Sequence, residues 1–331
     1  MFLFCKSILV ISLLLFCSLL FRTTNFVVAT ANPSCAPANQ RTISLRVENR
    51  AGARVDNLRP EDLSLLEDKT SREILTVDSK TDEPLAIAIL IDTSVSQEHL
   101  LPQVRLAAQE FVEAIPQTKK NRIAVVSFTG KATVEEDLTN DLARVQSAIS
   151  RVKFVPPGGY LGSGVVVSGR PPISGTNQIL AGSTAIWDAV WASTDGILKA
   201  ATDSRRAILL FTDGEDTSSS KKLREAIEYA ARYDVAVFGV GIADKQFGST
   251  DRKALNKLSE ETGGRAFFPK KAEDLPEILR QIDQELRSHH SLTYCATSVN
   301  TASQLSQIKI ELKNPPSQAS DLRILYRHYG L

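Results

Sequence analysis

The sequence predicts an α/β protein in which a doubly wound, mainly parallel sheet is inserted into a small β domain. Three observations carry this prediction. The continuous apolar run at residues 85–91 is typical of a strand that helices cover on both faces. Segments of strand length and helix length alternate from there to about residue 289. Patterns in which apolar and polar residues alternate precede this region and return after it.

The first 31 residues are typical of a secretory signal peptide. One positive charge, at Lys6, precedes the apolar stretch 7–21, and residues 29–31 supply the small side chains of a cleavage site. The alternative is an uncleaved membrane anchor, but about 15 apolar residues are short for a span that needs roughly 20. We therefore expect a mature chain that has no membrane span and is secreted or held in a periplasm or cell envelope.

The charge balance gives no support for two classes of partner. Cleavage after residue 31 would remove Lys6 and Arg22, which leaves 37 basic residues against 38 acidic ones and a formal charge of −1. A near-neutral chain gives no electrostatic reason to expect nucleic acid or an anionic lipid surface as a partner.

Two of the four cysteines lie in the predicted signal, so the mature chain keeps Cys35 and Cys295. In an oxidising compartment two thiols can pair. A bridge between them would tie the start of the mature chain to the region that follows the α/β domain. The alternative is two unpaired cysteines, and two thiols alone do not complete a thiolate zinc site.

Four parts follow one another along the chain. They are the signal peptide (1–31), an N-terminal β segment (32–83), the α/β domain (84–289) and a C-terminal β segment (290–331). Neither terminal segment can bury a face alone, so we expect the two to pack together. Strands are expected at about 42–47, 63–66, 74–77, 85–91, 122–128, 207–211, 235–240, 265–268, 292–296, 307–312 and 322–326. Helices are expected at about 97–115, 142–152, 184–199, 220–232, 252–261 and 275–287, with a long Gly/Pro/Ser-rich loop at 156–182.

Oxygen-bearing side chains follow the buried strand at 85–91. Asp92, Ser94 and Ser96 stand at alternate positions, so one loop can turn all three toward a point beyond the carboxyl end of the strand. Carboxylate and hydroxyl oxygens suit Mg²⁺, Ca²⁺ or Mn²⁺ better than zinc or copper. For this motif alone, the alternative is a strand-to-helix turn in which Asp and Ser cap the helix.

Two further pieces belong to the same edge of the predicted sheet. Asp213 follows the strand at 207–211, and Thr184 offers a hydroxyl at the start of a predicted helix. Because the pieces fall in order at strand ends and a helix start, they favour a metal site.

These residues resemble a known motif. Asp92-x-Ser94-x-Ser96, Thr184 and Thr212-Asp213-Gly214 are similar to the metal-ion-dependent adhesion site of von Willebrand factor type A domains, over about residues 84–289. The flanks, at 63–68 and 325–330, resemble the bacterial VWFA-related family named for acidobacteria. The resemblance implies that Asp92, Ser94, Ser96, Thr184 and Asp213 surround a divalent ion, Mg²⁺ first with Mn²⁺ or Ca²⁺ as alternatives. Because the 156–182 loop is long, Thr176 competes with Thr184 for its position. The resemblance also implies a protein partner that presents an Asp or Glu carboxylate to that ion.

An enzyme is not expected. Hydrolysis at a metal also needs a general base or nucleophile. The histidine nearest to the site in sequence, His99, falls on the following predicted helix, where we expect a surface or packed residue. The Gly-x-Ser-x-Gly motif and the Walker phosphate loop are absent. We therefore expect an exported, metal-dependent protein-binding module of the adhesion type. The alternatives are a structural or assembly module with a vestigial metal site, or a metal-dependent hydrolase.

Overall fold

A computed structural model of the 331-residue chain describes residues 35–49, 52–81, 83–116, 120–154, 156, 160–162, 165–166, 183–243, 250–296, 305–313 and 322–330. The predicted signal peptide, most of the predicted 156–182 loop and Thr176 lie outside the described residues.

Strands occur along the whole described part of the chain. They are β1 (Gln40–Glu48), β2 (Leu63–Glu67), β3 (Thr70–Arg72), β4 (Ile74–Thr81), β5 (Leu85–Asp92), β6 (Arg122–Phe128), β7 (Ala132–Thr139), β8 (Tyr160–Gly162), β9 (Val165–Val166), β10 (Arg205–Thr212), β11 (Val235–Gly241), β12 (Ala266–Phe267), β13 (Ser288–Cys295), β14 (Ser306–Leu312), β15 (Arg323–Tyr326) and β16 (Tyr329–Gly330).

The helices lie between β5 and β13. They are α1 (Leu101–Ala114), α2 (Leu142–Arg151), α3 (Ile186–Ser193), α4 (Leu223–Arg232), α5 (Arg252–Glu261) and α6 (Leu275–Arg287). Within the described part of the chain, none of them has the length and apolar character that a membrane crossing requires.

The central sheet has the strand order β12-β11-β10-β5-β6-β7. All neighbouring strands in it are parallel except β6 and β7. Every residue of β5 is buried because α1, α2 and α6 cover one face of the sheet and α3, α4 and α5 cover the other. This arrangement confirms the predicted α/β fold class with helices on both faces.

The sequence patterns missed one strand of this sheet. β7 carries Glu135, Glu136 and Asp137 in succession, and none of its residues is fully buried. An edge strand whose side chains are at most half buried shows no clear apolar alternation, so its sequence resembles a polar loop.

Several predicted helix bounds shift. The predicted 97–115 helix begins instead at Leu101, after a 3-10 turn at Val95–Gln97, and Pro102 stands in its first turn. The helix predicted at 220 begins at Leu223. The predicted 184–199 helix is α3 followed by a π turn at Thr194–Leu198.

Two four-stranded sheets enclose a second core. Their strand orders are β15-β1-β13-β4 and β16-β14-β2-β3, so each sheet combines strands that precede and follow the α/β region. Side chains from both sheets share one apolar cluster, which includes Ile43, Leu65, Leu292 and Ile310. Because each of the two facing sheets needs strands from both terminal segments, neither segment can form the sandwich alone.

A disulfide closes one end of this sandwich. It joins Cys35 to Cys295, which are separated by 260 positions, beside the pair Gln40 and Cys295 of the β1–β13 ladder. The bond therefore fastens the first described residue to a strand from the far end of the chain.

Buried charges join the sandwich to the base of the α/β sheet. Glu48 at the end of β1 accepts from Arg46 at 3.3 Å and is also paired with Arg265. Arg265 lies 3.3 Å from Glu285 of α6, and Arg205 donates to the carbonyl oxygen of Leu286 at 3.0 Å. These contacts hold the last turn of α6 against the sandwich at the end of the sheet opposite to Asp92.

Candidate metal-binding site

Asp92 is the last residue of β5 and is 2% exposed. Its Oδ1 accepts a hydrogen bond from the Ser94 backbone N–H at 2.9 Å, and its Oδ2 accepts one from the Thr212 hydroxyl at 2.6 Å. The first bond shapes the loop that follows β5, and the second crosses to the end of the neighbouring strand β10. The carboxylate is therefore held in one orientation at the carboxyl edge of the sheet.

The two serines that follow Asp92 lie side by side. Their hydroxyl oxygens are 3.1 Å apart, and the 3-10 turn at Val95–Gln97 begins immediately after Ser94. Ser94 is 3% exposed, whereas Ser96 is only partly buried. The alternate spacing read from the sequence thus brings the two hydroxyls together next to Asp92.

Asp213 follows the end of β10 and is 5% exposed. Its Oδ1 accepts from the Glu215 N–H at 3.0 Å, and its Oδ2 accepts from the Gln97 amide at 3.3 Å. The turn between these residues needs Gly214, which has a φ of +88° and whose added Cβ would come within 3.0 Å of the Asp251 carbonyl oxygen.

Two residues that hold the carboxylates were not predicted. Thr212 donates to Asp92, and Gln97 bridges Asp213 and the carbonyl oxygen of Ile242 at 3.1 Å. In the sequence, Thr212 stood out only as part of the Thr212-Asp213-Gly214 motif. No local pattern pointed to Gln97, because the hydrogen-bond partners of Gln97 lie more than a hundred positions away.

Thr184 is buried, at 6% exposure, just before α3. Its N–H donates to the Thr217 hydroxyl at 2.8 Å, and its carbonyl oxygen accepts from the N–H groups of Thr217 and Ser218. The backbone of Thr184 is therefore attached to the loop that begins with Asp213. Within the described contacts, its hydroxyl has no hydrogen bond to Asp92 or Asp213.

The electrostatics of the site favour a cation. Burial, followed by the charge of the nearby Asp213, raises the pKa of Asp92 to about 7, although hydrogen bonds from Ser94 and Thr212 act in the opposite direction. Within the described part of the chain, neither carboxylate forms an ion pair with Lys, Arg or His. Two buried carboxylates without a basic partner are costly unless a cation compensates them.

The donor set fits a hard divalent ion. It consists of the Asp92 and Asp213 carboxylates and the neighbouring hydroxyls, which are oxygen ligands of the kind that Mg²⁺, Mn²⁺ and Ca²⁺ take. Among the described residues, no group of three or more His, Cys, Asp and Glu side chains is placed to hold a metal. His99, the histidine nearest in sequence, is exposed.

The Asp216 side chain caps the start of α3. Its Oδ1 accepts from the Ile186 N–H at 2.7 Å and from the Ser219 hydroxyl at 2.5 Å. In return, Asp188 in the first turn of α3 accepts from the backbone N–H of Lys221 at 2.8 Å. The loop after Asp213 is thus fastened to the start of α3 from both sides.

We expect Asp216→Ala to lower the free energy of unfolding by about 1–2 kcal/mol, because the first-turn N–H groups of α3 lose their acceptor. Urea unfolding followed by circular dichroism measures this change. Glu215→Ala is the matched control, since Glu215 is exposed, and should change stability by less than about 0.5 kcal/mol. Equal effects of the two substitutions would show that the cap contributes nothing.

Two family models for the same kind of domain match the part of the chain that forms this site. Two models described as von Willebrand factor type A domain match, one at residues 87–215 and the other at residues 173–281. No curated protein sequence matches the chain.

Solved structures resemble the chain at low sequence identity. Proximal thread matrix protein 1 from the mussel byssus is 17% identical, with a TM-score of 0.49 over 65% of this chain and 49% of its own. A von Willebrand factor type A protein from Catenulispora acidiphila is 13% identical, with a TM-score of 0.48 over 89% and 75%. BatB from Bacteroides thetaiotaomicron is 17% identical, with a TM-score of 0.41 over 60% and 98%. The chain therefore spans about half the length of the mussel protein.

Proposed function

This chain contains a von Willebrand factor type A domain, and from that premise we propose that it is an exported, metal-dependent protein-binding module. The observation that carries the proposal is the pair of buried carboxylates, Asp92 and Asp213. Asp92 lies beside the Ser94 and Ser96 hydroxyls, and neither carboxylate has a basic partner among the described residues. An arrangement of this kind compensates a cation with protein oxygens alone.

The residues have separate roles in this proposal. Asp92 and Asp213 supply charge that balances a divalent ion, Mg²⁺ first with Mn²⁺ or Ca²⁺ as alternatives. Ser94, Ser96 and Thr184 supply neutral oxygens. When bound, the ion offers a position to a carboxylate from an Asp or Glu of a protein partner. Thr212 and Gln97 keep the two carboxylates in place through the hydrogen bonds described above.

The rest of the chain supports this site and its location. We assign residues 84–289 to the binding domain and propose that segments 32–83 and 290–331 form its supporting sandwich. The signal-like residues 1–31 and the Cys35–Cys295 disulfide both favour an oxidising compartment outside the cytoplasm, such as a periplasm, the cell envelope or the medium.

Binding is preferred to hydrolysis because the side chains gathered at the site are carboxylates and hydroxyls that already hold one another, and His99 is exposed. A structural module with a vestigial site remains the second candidate. It predicts that divalent ions leave the protein unchanged.

The test is capture of a partner from the native envelope or medium by the immobilised mature chain. We expect a protein that is retained with 5 mM Mg²⁺ and released by a chelator, roughly tenfold or more. Retention that is the same with chelator, together with no change in thermal stability on addition of Mg²⁺, Mn²⁺ or Ca²⁺, would contradict a metal-dependent module.

A further inference from the structure

A row of half-buried aromatic side chains lies on the outer side of α3 and α4. The ring centroids of Trp191 and Tyr229 are 4.7 Å apart, and those of Tyr229 and Tyr233 are 5.0 Å apart. The chain has two tryptophans, Trp187 and Trp191, and Trp187 is packed in the core at 7% exposure. Trp191 is the one that reaches the surface. Tryptophan and tyrosine are enriched among the residues that dominate the binding energy of protein interfaces.

Lysines lie at both ends of this row. The Lys221 ammonium is 5.1 Å from the centroid of the Trp191 ring, and the Lys199 ammonium is 5.1 Å from that of Tyr233, within the range of a cation–π contact. Lys222 is exposed next to Lys221. We call this surface the aromatic–lysine strip. It consists of Trp191, Lys199, Lys221, Lys222, Tyr229 and Tyr233.

The strip is held in shape by the π turn at Thr194–Leu198. In that turn the Lys199 N–H donates to the Thr194 carbonyl oxygen at 2.9 Å. The turn places the Asp195 carboxylate where it accepts from the Tyr229 hydroxyl and, at 3.1 Å, from the Lys199 ammonium. Single π turns are rare and are frequent at functional sites. Side chains fixed in this way lose little further entropy when a ligand binds.

The two lysine ends differ in charge. Lys199 is neutralised by Asp195. Lys221, in contrast, has the Trp191 ring as its side-chain contact and no carboxylate partner within the described residues. The ammonium groups of Lys221 and Lys222 form no ion pair among the described residues, although the Asp188 and Glu225 carboxylates accept from the backbone N–H groups of these two lysines. Both ammonium groups can therefore still pair with a carboxylate of a ligand.

The end formed by Lys221 and Lys222 is the one nearer to the candidate metal site. The loop from Asp213 to Lys221 is fastened to the start of α3, where Asp216 caps Ile186 and Asp188 accepts from the Lys221 N–H. Trp191 follows Ile186 by five residues, or about 7.5 Å along the helix axis. A ligand seated on the metal and continuing along α3 would meet Lys221 and Trp191 next.

Building on the proposed function, we propose that the aromatic–lysine strip receives an acidic segment of the protein partner, on either side of the residue whose carboxylate docks at the metal site. Carboxylates of that segment pair with Lys221 and Lys222. An aromatic or apolar side chain of the same segment packs on Trp191 and Tyr229. The metal site selects a carboxylate, and the strip selects the sequence around it.

Selection of displayed peptides tests this proposal. Random twelve-residue peptides are selected on the immobilised mature chain in 5 mM Mg²⁺, and single peptides are then measured by fluorescence anisotropy. We expect the selected peptides to contain several Asp or Glu residues and at least one aromatic residue. Their affinity should fall about tenfold or more with Lys221→Glu and with Trp191→Ala, and should decrease steeply with salt.

Lys253→Glu is the matched control, because Lys253 is an exposed lysine of α5 and the substitution makes the same change in charge. It should leave the affinity within about twofold. Circular dichroism verifies that each variant is folded. If Trp191→Ala does not fold, the affinity of Lys221→Glu decides the test.

The possible outcomes separate the two proposals. Peptides that need Mg²⁺ but bind equally to Lys221→Glu and Trp191→Ala would overturn the strip and leave the metal site standing. Selection of basic or uncharged peptides, or of no peptide, would also overturn the strip. Acidic peptides that depend on the strip but are unaffected by chelator would overturn the metal-dependent function instead.

Discussion

Asp92→Asn is expected to abolish the stabilisation that Mg²⁺ gives to this protein while making the metal-free protein more stable. Asparagine keeps an oxygen that accepts from the Ser94 N–H, but it removes one of two buried negative charges. The pKa of Asp92, raised to about 7 from 3.8, corresponds to a penalty of the order of 4 kcal/mol for the charged form. The Thr212 hydroxyl must turn to accept from the new amide, so we expect a net gain of roughly 1–3 kcal/mol.

The gain should depend on pH in a defined direction. Between about pH 4 and pH 7 the folded metal-free protein keeps a proton on Asp92 that the unfolded chain has lost. The contribution of this group to stability is therefore greatest below pH 4, decreases as the pH rises to about 7, and is constant above. The stability difference between Asp92→Asn and the unmodified protein should grow over the same interval.

Urea unfolding in chelator at pH 5, 6 and 8, repeated with Mg²⁺ at pH 8, measures both effects. At 100 times its dissociation constant Mg²⁺ should stabilise the unmodified protein by about 2.7 kcal/mol and Asp92→Asn by nothing measurable. Glu215→Gln, an exposed carboxylate two residues after Asp213, is the control and should follow the unmodified protein. An Asp92→Asn variant that still responds to Mg²⁺ would show that Asp92 is not a ligand.

Replacing Cys35 and Cys295 with serine is expected to cost about 3–5 kcal/mol of stability, mainly in the sandwich. The bond spans 260 positions, and long closed loops lose the most entropy when they are cross-linked. The α/β domain, when folded, already brings the ends of this loop together. The penalty should therefore fall at the lower end of the range while that domain stays folded, and at the upper end once it has unfolded.

The chain provides a probe for each part. Both tryptophans, Trp187 and Trp191, lie in α3, so tryptophan fluorescence follows the α/β domain. Tyr294 and Tyr326 belong to the sandwich core, and the NMR signals of these two rings follow it. In the double serine variant we expect the tyrosine signal to be lost at lower urea than the tryptophan signal. A reducing agent should produce the same change in the unmodified protein and none in the variant; coincident, unshifted transitions in the variant would refute this expectation.

The α/β fold could be predicted where local sequence reflects burial. β5 is buried along its whole length and its sequence is continuously apolar, and α6 has the predicted bounds because its apolar face repeats regularly. β7 could not be predicted in this way, since an acidic edge strand is defined by its pairing with β6 and not by its own pattern.

In the candidate site, too, local sequence predicted some residues and not others. Asp92 and Asp213 could be proposed because each follows a buried strand, and parallel strands end at the same edge. The hydrogen bonds that hold them, from Thr212 to Asp92 and from Gln97 to Asp213, join residues 120 and 116 positions apart. No local pattern records a partner at that distance.

The order of strands in the sandwich has a consequence for how the chain folds during synthesis. β1 pairs with β13, as in the register of Thr42 with Thr293, so its partner is made only after the whole α/β domain. At ordinary rates of translation that wait is on the order of 10–50 s, longer than most single domains take to fold. The α/β domain, whose sheet partners all lie within it, can therefore form first and act as the template on which the two late halves of the sandwich meet. Until then β1, β2 and β4 have unpaired edges, so the nascent chain is most prone to misassociation before residue 288 emerges.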